Sequence, residues 1–81
     1  MDYQSRITCN PTILVGKPTI TGTRISVELI LKMLSQGVSQ VEILDEYPDL
    51  KAEDILAAIG YARDMVASEE IGHFAATPSA V

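Results

Sequence analysis

The chain has 81 residues and a formal net charge of −5 at pH 7. This length predicts one domain. The acidic balance disfavours nonspecific nucleic-acid binding, which depends on Lys and Arg side chains displacing counterions from phosphates. Hydrophobic residues make up 47% of the sequence, with one Phe and no Trp, so we expect an aliphatic core. A core this small gains from oligomerisation, and we expect a homodimer.

Cysteine and histidine are too scarce for several kinds of site. The single cysteine, Cys9, cannot form an intramolecular disulfide, and with the single histidine, His73, it cannot build a Cys/His zinc site. The N-terminal residues are mainly polar or charged, which predicts no signal peptide. No apolar run approaches the roughly 20 residues needed to span a bilayer. We therefore expect a cytoplasmic protein that has no metal, cofactor or membrane contact.

The N-terminal third of the chain predicts short β-structure. Residues 6–8 are a candidate strand, which Asn10-Pro11 ends. Thr19-Ile20 and residues 23–25 are β-prone and flank Thr21-Gly22, which is typical of a two-residue turn. We expect these flanking residues to form a β-hairpin directly before the first helix.

The first helix is predicted over residues 27–36. Ser26 is a favourable N-cap, because its hydroxyl accepts a hydrogen bond from a free N–H of the first turn. Gly37 supplies the left-handed stop. The apolar residues with helical spacing, which we expect to face the core, are Val27, Ile30, Leu31 and Leu34.

The second helix is predicted over residues 40–47. Ser39 and Glu42 have the spacing of a capping box, and Pro48 ends the helix. The acidic residues on its outer side, extended by the following turn, are Glu42, Asp45, Glu46 and Asp49.

The third helix is predicted from residue 51 or 52 to about residue 69, followed by a stop at Gly72. Residues 1–72 then form the domain, and residues 73–81 form a flexible tail. The apolar spacing predicts a buried stripe of Ala52, Ile55, Ile59, Ala62 and Val66. The opposite, exposed face is then Glu53, Ala57, Tyr61, Asp64 and Ser68.

The second and third helices have the proportions of a helix-turn-helix, although a plain three-helix bundle fits equally well. The predicted exposed face of the third helix carries two acids and no Lys or Arg. Base readout relies mainly on Arg, Lys, Asn and Gln, so this face disfavours DNA recognition. If DNA is bound, the candidates for phosphate contacts are Arg24, Lys51 and Arg63.

Acidic and aromatic residues are the candidates for binding a partner protein. The acidic stripe of the second helix suits a basic partner; a solvated helix face and a site for a hard cation are the alternatives. Tyr61 is of a type enriched at interface hot spots, or it covers the edge of the core. The partner-binding candidates are Glu42, Asp45, Glu46 and Tyr61.

Leu29 and Met33 lie one turn apart, outside the core stripe of the first helix. The hairpin covers them, or they form an apolar patch for a dimer. Arg24 follows the predicted turn, where it either locks the hairpin to the helix or reaches an acid or phosphate of a partner.

Neither nucleotide binding nor catalysis is supported. Gly16-Lys17 resembles the end of a phosphate-binding loop, but Pro18 stands where that motif has Ser or Thr. Cys9 has no base within sequence reach. We expect no enzymatic activity.

Residues 7–65 resemble the bacterial domain-of-unknown-function 433 family. The resemblance rests on Asn10-Pro11, on Gly16-Lys17-Pro18-x-Ile20-x-Gly22-Thr23-Arg24-Ile25, and on two later blocks, Ile43-Leu44-x-x-Tyr47-Pro48-x-Leu50 and Asp54-Ile55-x-Ala57-Ala58-Ile59-x-Tyr61-Ala62. It implies a homeodomain-like or winged-helix-like helix-turn-helix. Some members are proposed to be VapB-like antitoxins paired with PIN-like ribonuclease toxins.

These observations together predict a mainly α fold, with a short N-terminal β-hairpin followed by a three-helix bundle that contains the helix-turn-helix. The function expected from the resemblance is an antitoxin-like protein that binds and neutralises a PIN-like ribonuclease. A DNA-binding transcriptional regulator and a homodimeric scaffold are the alternatives.

Overall fold

The computed structural model describes residues 3–68, so the predicted C-terminal tail and its preceding glycine lie outside it. The described chain is mainly helical and carries a two-stranded antiparallel sheet near its start, which confirms the expected architecture at this level. Its regular elements are the strands β1 (Ile7–Thr8) and β2 (Thr19–Ile20) and the helices α1 (Val27–Ser35), α2 (Gln40–Glu46) and α3 (Ala52–Ser68). Short 3-10 turns lie at Gln4–Arg6 and Leu14–Gly16.

The two strands that pair are β1 and β2. Ile7 lies opposite Ile20, and Thr8 lies opposite Thr19. Both residues of β2 are buried, with exposed fractions of 1%. The sheet therefore places one aliphatic side chain, Ile20, directly in the core.

The predicted hairpin around Thr21-Gly22 is only partly present. The turn itself forms, because the N–H of Thr23 donates to the carbonyl oxygen of Ile20. Beyond the turn there is one isolated bridge, between Thr19 and Ser26. The prediction of a strand directly after the turn is wrong, because Ser26 already caps α1 and the chain turns into the helix.

The caps of α1 confirm the sequence prediction. The Ser26 hydroxyl accepts a hydrogen bond from the N–H of Leu29 at 2.9 Å. Gly37 has a φ of +87°, and the N–H of Val38 donates to the carbonyl oxygen of Met33. This is the Schellman arrangement that a left-handed glycine permits at a helix end.

The capping box of α2 is also confirmed. The N–H of Glu42 donates to the Ser39 hydroxyl at 3.1 Å, and the Glu42 carboxylate accepts from the N–H of Ser39 at 2.9 Å. The helix ends at Glu46, two residues before Pro48. The short α2 is therefore fixed at both ends by its own sequence.

The core is aliphatic, as expected, and lies where β2 and the three helices meet. From α1 it takes Val27 and Ile30, while Leu31 and Leu34 pack at its edge. The buried residues of the main cluster are Ile20, Val27, Ile30, Ile43, Leu50, Ile55 and Ala58.

The predicted buried stripe of α3 is correct at Ile55, which is fully buried, but wrong at other positions. Ile59 is 41% exposed and Val66 is 56% exposed, whereas Ala57, predicted to be exposed, is fully buried. The residues of α3 that are buried are Asp54, Ile55, Ala57 and Ala58. The helix is thus rotated about its axis by roughly one residue, or about 100°, from the predicted orientation.

The N-terminal segment explains this rotation, since it covers the face that was predicted to be free. The ring of Tyr3 packs edge-on against Tyr61, with 6.0 Å between ring centroids. Its hydroxyl donates to the carboxylate of Asp64 at 2.8 Å. Gly60 allows this approach, because a Cβ there would lie 3.1 Å from a Tyr3 ring carbon.

A buried carboxylate joins the same segment to the start of α3. Asp54 is 5% exposed, and one of its oxygens accepts a hydrogen bond from the Arg6 guanidinium at 2.8 Å. Its other oxygen accepts from the N–H of Lys51 at 2.9 Å. Asp54 therefore satisfies a free donor at the N-terminus of α3 and fixes the chain ahead of β1.

Candidate functional site

An open apolar groove runs between α1 and α3 and has a volume of about 680 Å³. Two of its side chains on α3, Met65 and Val66, are 46% and 56% exposed. Tyr61, a predicted partner-binding residue, is half-buried and lines it too. The apolar lining consists of Pro18, Val27, Leu31, Tyr61, Ala62, Met65 and Val66.

An exposed ion pair forms part of the rim of this groove. Lys17 and Glu28 are 2.8 Å apart, and their side chains are 58% and 72% exposed. The hydrogen bond from Lys17 and its positive charge hold the pKa of the Glu28 carboxyl below its usual value. The pair joins the loop before β2 to the first turn of α1.

The outward side of α3 carries a second uncovered row, defined here as the outer row: Ala52, Leu56, Ile59 and Arg63. All four residues are exposed, with Leu56 at 49% and Ile59 at 41%. Sequence reasoning missed this surface because apolar residues at helical spacing predict a core stripe equally well.

The acidic candidates all lie on the exposed side of α2. Glu42, Asp45 and Glu46 are each exposed. Glu42 accepts the Ser39 backbone N–H, and this bond lowers the pKa of its carboxyl. None of the three takes part in the ion pairs found between residues 3 and 68, so their charges face solvent without a neutralising side chain there.

The proposed dimer patch of Leu29 and Met33 is partly covered. Both side chains are half-buried, and Met33 packs against the main core cluster. Leu29 lines a shallow hollow together with Leu14 from the loop between the strands. The structure therefore does not present these two residues as one exposed patch.

The three cations considered for phosphate contacts are exposed but lie on different elements. Arg24 belongs to the loop before α1 and lines a hollow together with Thr23 and Asp49. Lys51 directly precedes α3, and Arg63 lies in the C-terminal half of that helix. Arg63 makes a long 3.4 Å contact with Asp64, and its side chain is 81% exposed.

The turn Leu14–Gly16 is a strained feature that sequence reasoning did not single out. Leu14 has a φ of 50° and Val15 a φ of 56°, and left-handed backbone is unfavourable for a β-branched residue. Val15 is also 94% exposed. The apolar run before Gly16 was visible in the sequence, but its left-handed backbone was not.

Within residues 3–68, no group of three or more His, Cys, Asp or Glu side chains is placed to hold a metal ion. The helices of this part of the chain are too short or too polar to cross a bilayer. Cys9 is exposed.

Comparisons with known proteins identify the family. The pattern described as "Protein of unknown function (DUF433)" matches residues 7–62, which is more than half of the chain. A crystal structure of a DUF433 member protein from Anabaena variabilis ATCC 29413 is 36% identical, with a TM-score of 0.72. That match covers 75% of this chain and 60% of the Anabaena chain. Curated protein sequences give no match. The chain therefore belongs to the DUF433 family.

Proposed function

We propose that this chain is a non-enzymatic, antitoxin-like protein that binds and neutralises a PIN-like ribonuclease in the cytoplasm. The observation that carries the proposal is the open apolar groove between α1 and α3. An uncovered apolar groove on a small acidic body is typical of a surface that receives side chains of a partner protein. Tyr61 and Met65 supply the aromatic and flexible contacts that such interfaces favour.

The exposed carboxylates of α2 support a basic partner. Glu42 and Glu46 lie one helical turn apart, and such like-charged pairs destabilise a helix by about 0.2–0.5 kcal/mol. A partner of opposite charge would relieve this repulsion and be steered toward the surface. A ribonuclease offers such a surface, because the cleft that holds RNA must face its phosphates.

Neutralisation then follows from competition for the cleft. Carboxylates placed in a basic RNA-binding cleft occupy the positions of phosphates and so exclude the substrate. The lowered pKa of Glu42 keeps that group charged to lower pH than a free glutamate. The groove would supply the apolar anchor, and the α2 carboxylates would supply orientation.

The test is an RNA-cleavage assay with any PIN-like nuclease that is found to be encoded beside this gene. Adding the full chain should abolish cleavage. Val66→Asp in the groove should weaken inhibition by at least about tenfold, whereas Leu56→Asp in the outer row is the matched control and should inhibit normally.

A second pair of variants tests the acidic surface. Asp45→Asn combined with Glu46→Gln should weaken inhibition, with a loss that shrinks as salt concentration rises. Glu53→Gln, an exposed acid outside α2, should inhibit like the parent. If neighbouring nucleases neither bind nor lose activity with the unmodified chain, the proposed function is wrong.

Operator binding is the second candidate, and one observation favours it. The α2–α3 pair has the order and the short connection of a helix-turn-helix. Lys51, directly before the second helix, and Arg63, on that helix, are both exposed. Leu56 and Ile59 lie between them on the outward side, which leaves few groups to read bases.

A mobility-shift titration on the gene's own promoter distinguishes this candidate. DNA binding predicts an affinity that falls steeply with salt and that decreases further in Arg24→Gln, Lys51→Gln and Arg63→Gln. If the affinity for DNA is unchanged in all three variants, operator binding through these residues is excluded.

A further inference from the structure

The outer row of α3 has a self-complementary arrangement. Its members stand at intervals of four, three and four residues, so they form one continuous line along the helix. If α3 is turned end for end about the point midway between residues 57 and 58, the positions of the row coincide with themselves. Leu56 exchanges with Ile59, and Ala52 exchanges with Arg63. A surface that is its own complement under a two-fold rotation is what an isologous dimer requires.

Charge complementarity agrees with the antiparallel direction. Glu53, next to Ala52, is exposed in the first turn of α3, and Arg63 is exposed near the other end of the row. In an antiparallel pair Arg63 of each copy lies opposite Ala52 of the other and beside the neighbouring Glu53, which places an opposite charge near each arginine. In a parallel pair arginine would face arginine, and glutamate would face glutamate, which is unfavourable.

We propose that a second copy of this chain covers the outer row, with the two α3 helices packed antiparallel about a two-fold axis. Leu56 of one copy packs against Ile59 of the other at the centre. Arg63 of each copy lies near Glu53 of the other at both ends of the contact. This places the dimer contact on α3 rather than at Leu29 and Met33, and it leaves the groove between α1 and α3 free for another partner.

The contact is small, and its expected strength follows from its size. The α3 helix has 17 residues, which is about 25 Å of helix. One such helix pair buries less than the roughly 1,200 Å² of a standard interface. We therefore expect reversible association in the range of about 10–500 µM rather than a permanent dimer.

The experiment is sedimentation of the full chain across this concentration range, with circular dichroism to verify folding. The parent should shift from monomer to dimer as concentration rises. Ile59→Asp should weaken dimerisation by at least about tenfold, since it places like charges at the centre. Val41→Asp on α2, where Val41 is 77% exposed, is the matched control and should dimerise like the parent.

Charge reversal tests the direction of the pair. Arg63→Glu and Glu53→Arg should each weaken dimerisation, because each sets like charges opposite one another across the axis. The combined variant should recover it. When it is mixed with the parent, the two should sort into separate homodimers, since a mixed pair sets arginine against arginine.

Two results would overturn the proposal. The parent could remain monomeric over the whole range, or Ile59→Asp could dimerise as the parent does. If the combined charge reversal dimerises no better than the single variants, the antiparallel arrangement is wrong. Ribonuclease inhibition enters none of these measurements, so this test stands apart from that of the proposed function.

Discussion

The two sides of α3 have similar hydrophobicity but different surroundings. The inner side buries Ile55, Ala57 and Ala58 completely, while the outer side leaves Leu56 and Ile59 about half exposed. The difference lies in what reaches them. Gly60 lets the ring of Tyr3 approach the inner side closely, whereas Leu56 and Ile59 on the outer side project into solvent. Hydrophobicity alone therefore does not select the core face of this helix.

The largest expected effect comes from truncating the same residue type on the two sides. Ile55→Ala leaves a cavity in a fully buried site and should lower the free energy of unfolding by about 3 kcal/mol. Ile59→Ala removes a partly exposed side chain and should lower it by less than about 1 kcal/mol. Urea unfolding at a concentration where the chain is monomeric measures both. Equal losses would show that the two sides are covered alike.

The next effect concerns the buried carboxylate. Asp54→Ala removes the partner of Arg6 and the acceptor for the Lys51 N–H, and should lower stability by about 2 kcal/mol. Arg6 is one-third exposed, so water partly compensates its loss of a partner. Glu53→Ala, the neighbouring exposed acid, is the control and should change stability by less than about 0.5 kcal/mol. Thermal unfolding of the parent and of the two variants measures both changes. If Asp54→Ala lowers stability no more than Glu53→Ala does, the buried carboxylate does not stabilise the fold.

A smaller effect tests the contact between Tyr3 and Gly60. Tyr3→Ala loses the ring contact and the hydrogen bond to Asp64, and should lower stability by about 1–2 kcal/mol. Gly60→Ala gains helix propensity of about 1 kcal/mol, but its new methyl group presses on the Tyr3 ring. In a Tyr3→Ala background that pressure is absent, so Gly60→Ala should stabilise. A double-mutant cycle that shows no coupling would contradict the observed covering of this side of α3.

The smallest effect lies on α2 and depends on pH. The folded-state pKa of Glu42 is lowered, mainly by the hydrogen bond from the Ser39 backbone N–H. Its contribution to stability is therefore complete above the unfolded-state pKa and is lost as pH falls through the lower folded-state value. When the free energy of unfolding is measured from neutral pH to about pH 3, its decrease with falling pH should be smaller in Glu42→Gln than in the parent. Glu46→Gln, outside the capping box, serves as the control; an unchanged profile in Glu42→Gln would exclude the linkage.

Local signals in the sequence predict much of this fold. The serine caps at Ser26 and Ser39 and the stop at Gly37 depend on residues within a few positions of each other, and all three are confirmed. Strand pairing and the orientation of α3 depend on distant residues. The Thr21-Gly22 turn is locally favourable, but β1 lies far away in the sequence and pairs with β2. Tyr3 and Arg6 are equally remote from the helix that they orient.

The candidate site shows the same division. The exposure of Glu42, Asp45 and Glu46 follows from the amphipathic pattern of a short capped helix. The groove could not be predicted, because its walls come from α1 and the far end of α3, and the stripe assigned to α3 was rotated. Two members of the outer row, Ala52 and Ile59, were assigned to the core, since spacing does not say which of two apolar sides of a helix finds a partner.

The hydrogen bond between Tyr3 and Asp64 spans 61 residues of sequence, and this has a consequence during biosynthesis. At about 5–20 residues per second, the ribosome needs roughly 3–12 s to reach the aspartate after it has made the tyrosine. During that interval the segment around Tyr3 has no α3 to lie against, so this contact can form only after Asp64 has been made and has left the ribosome.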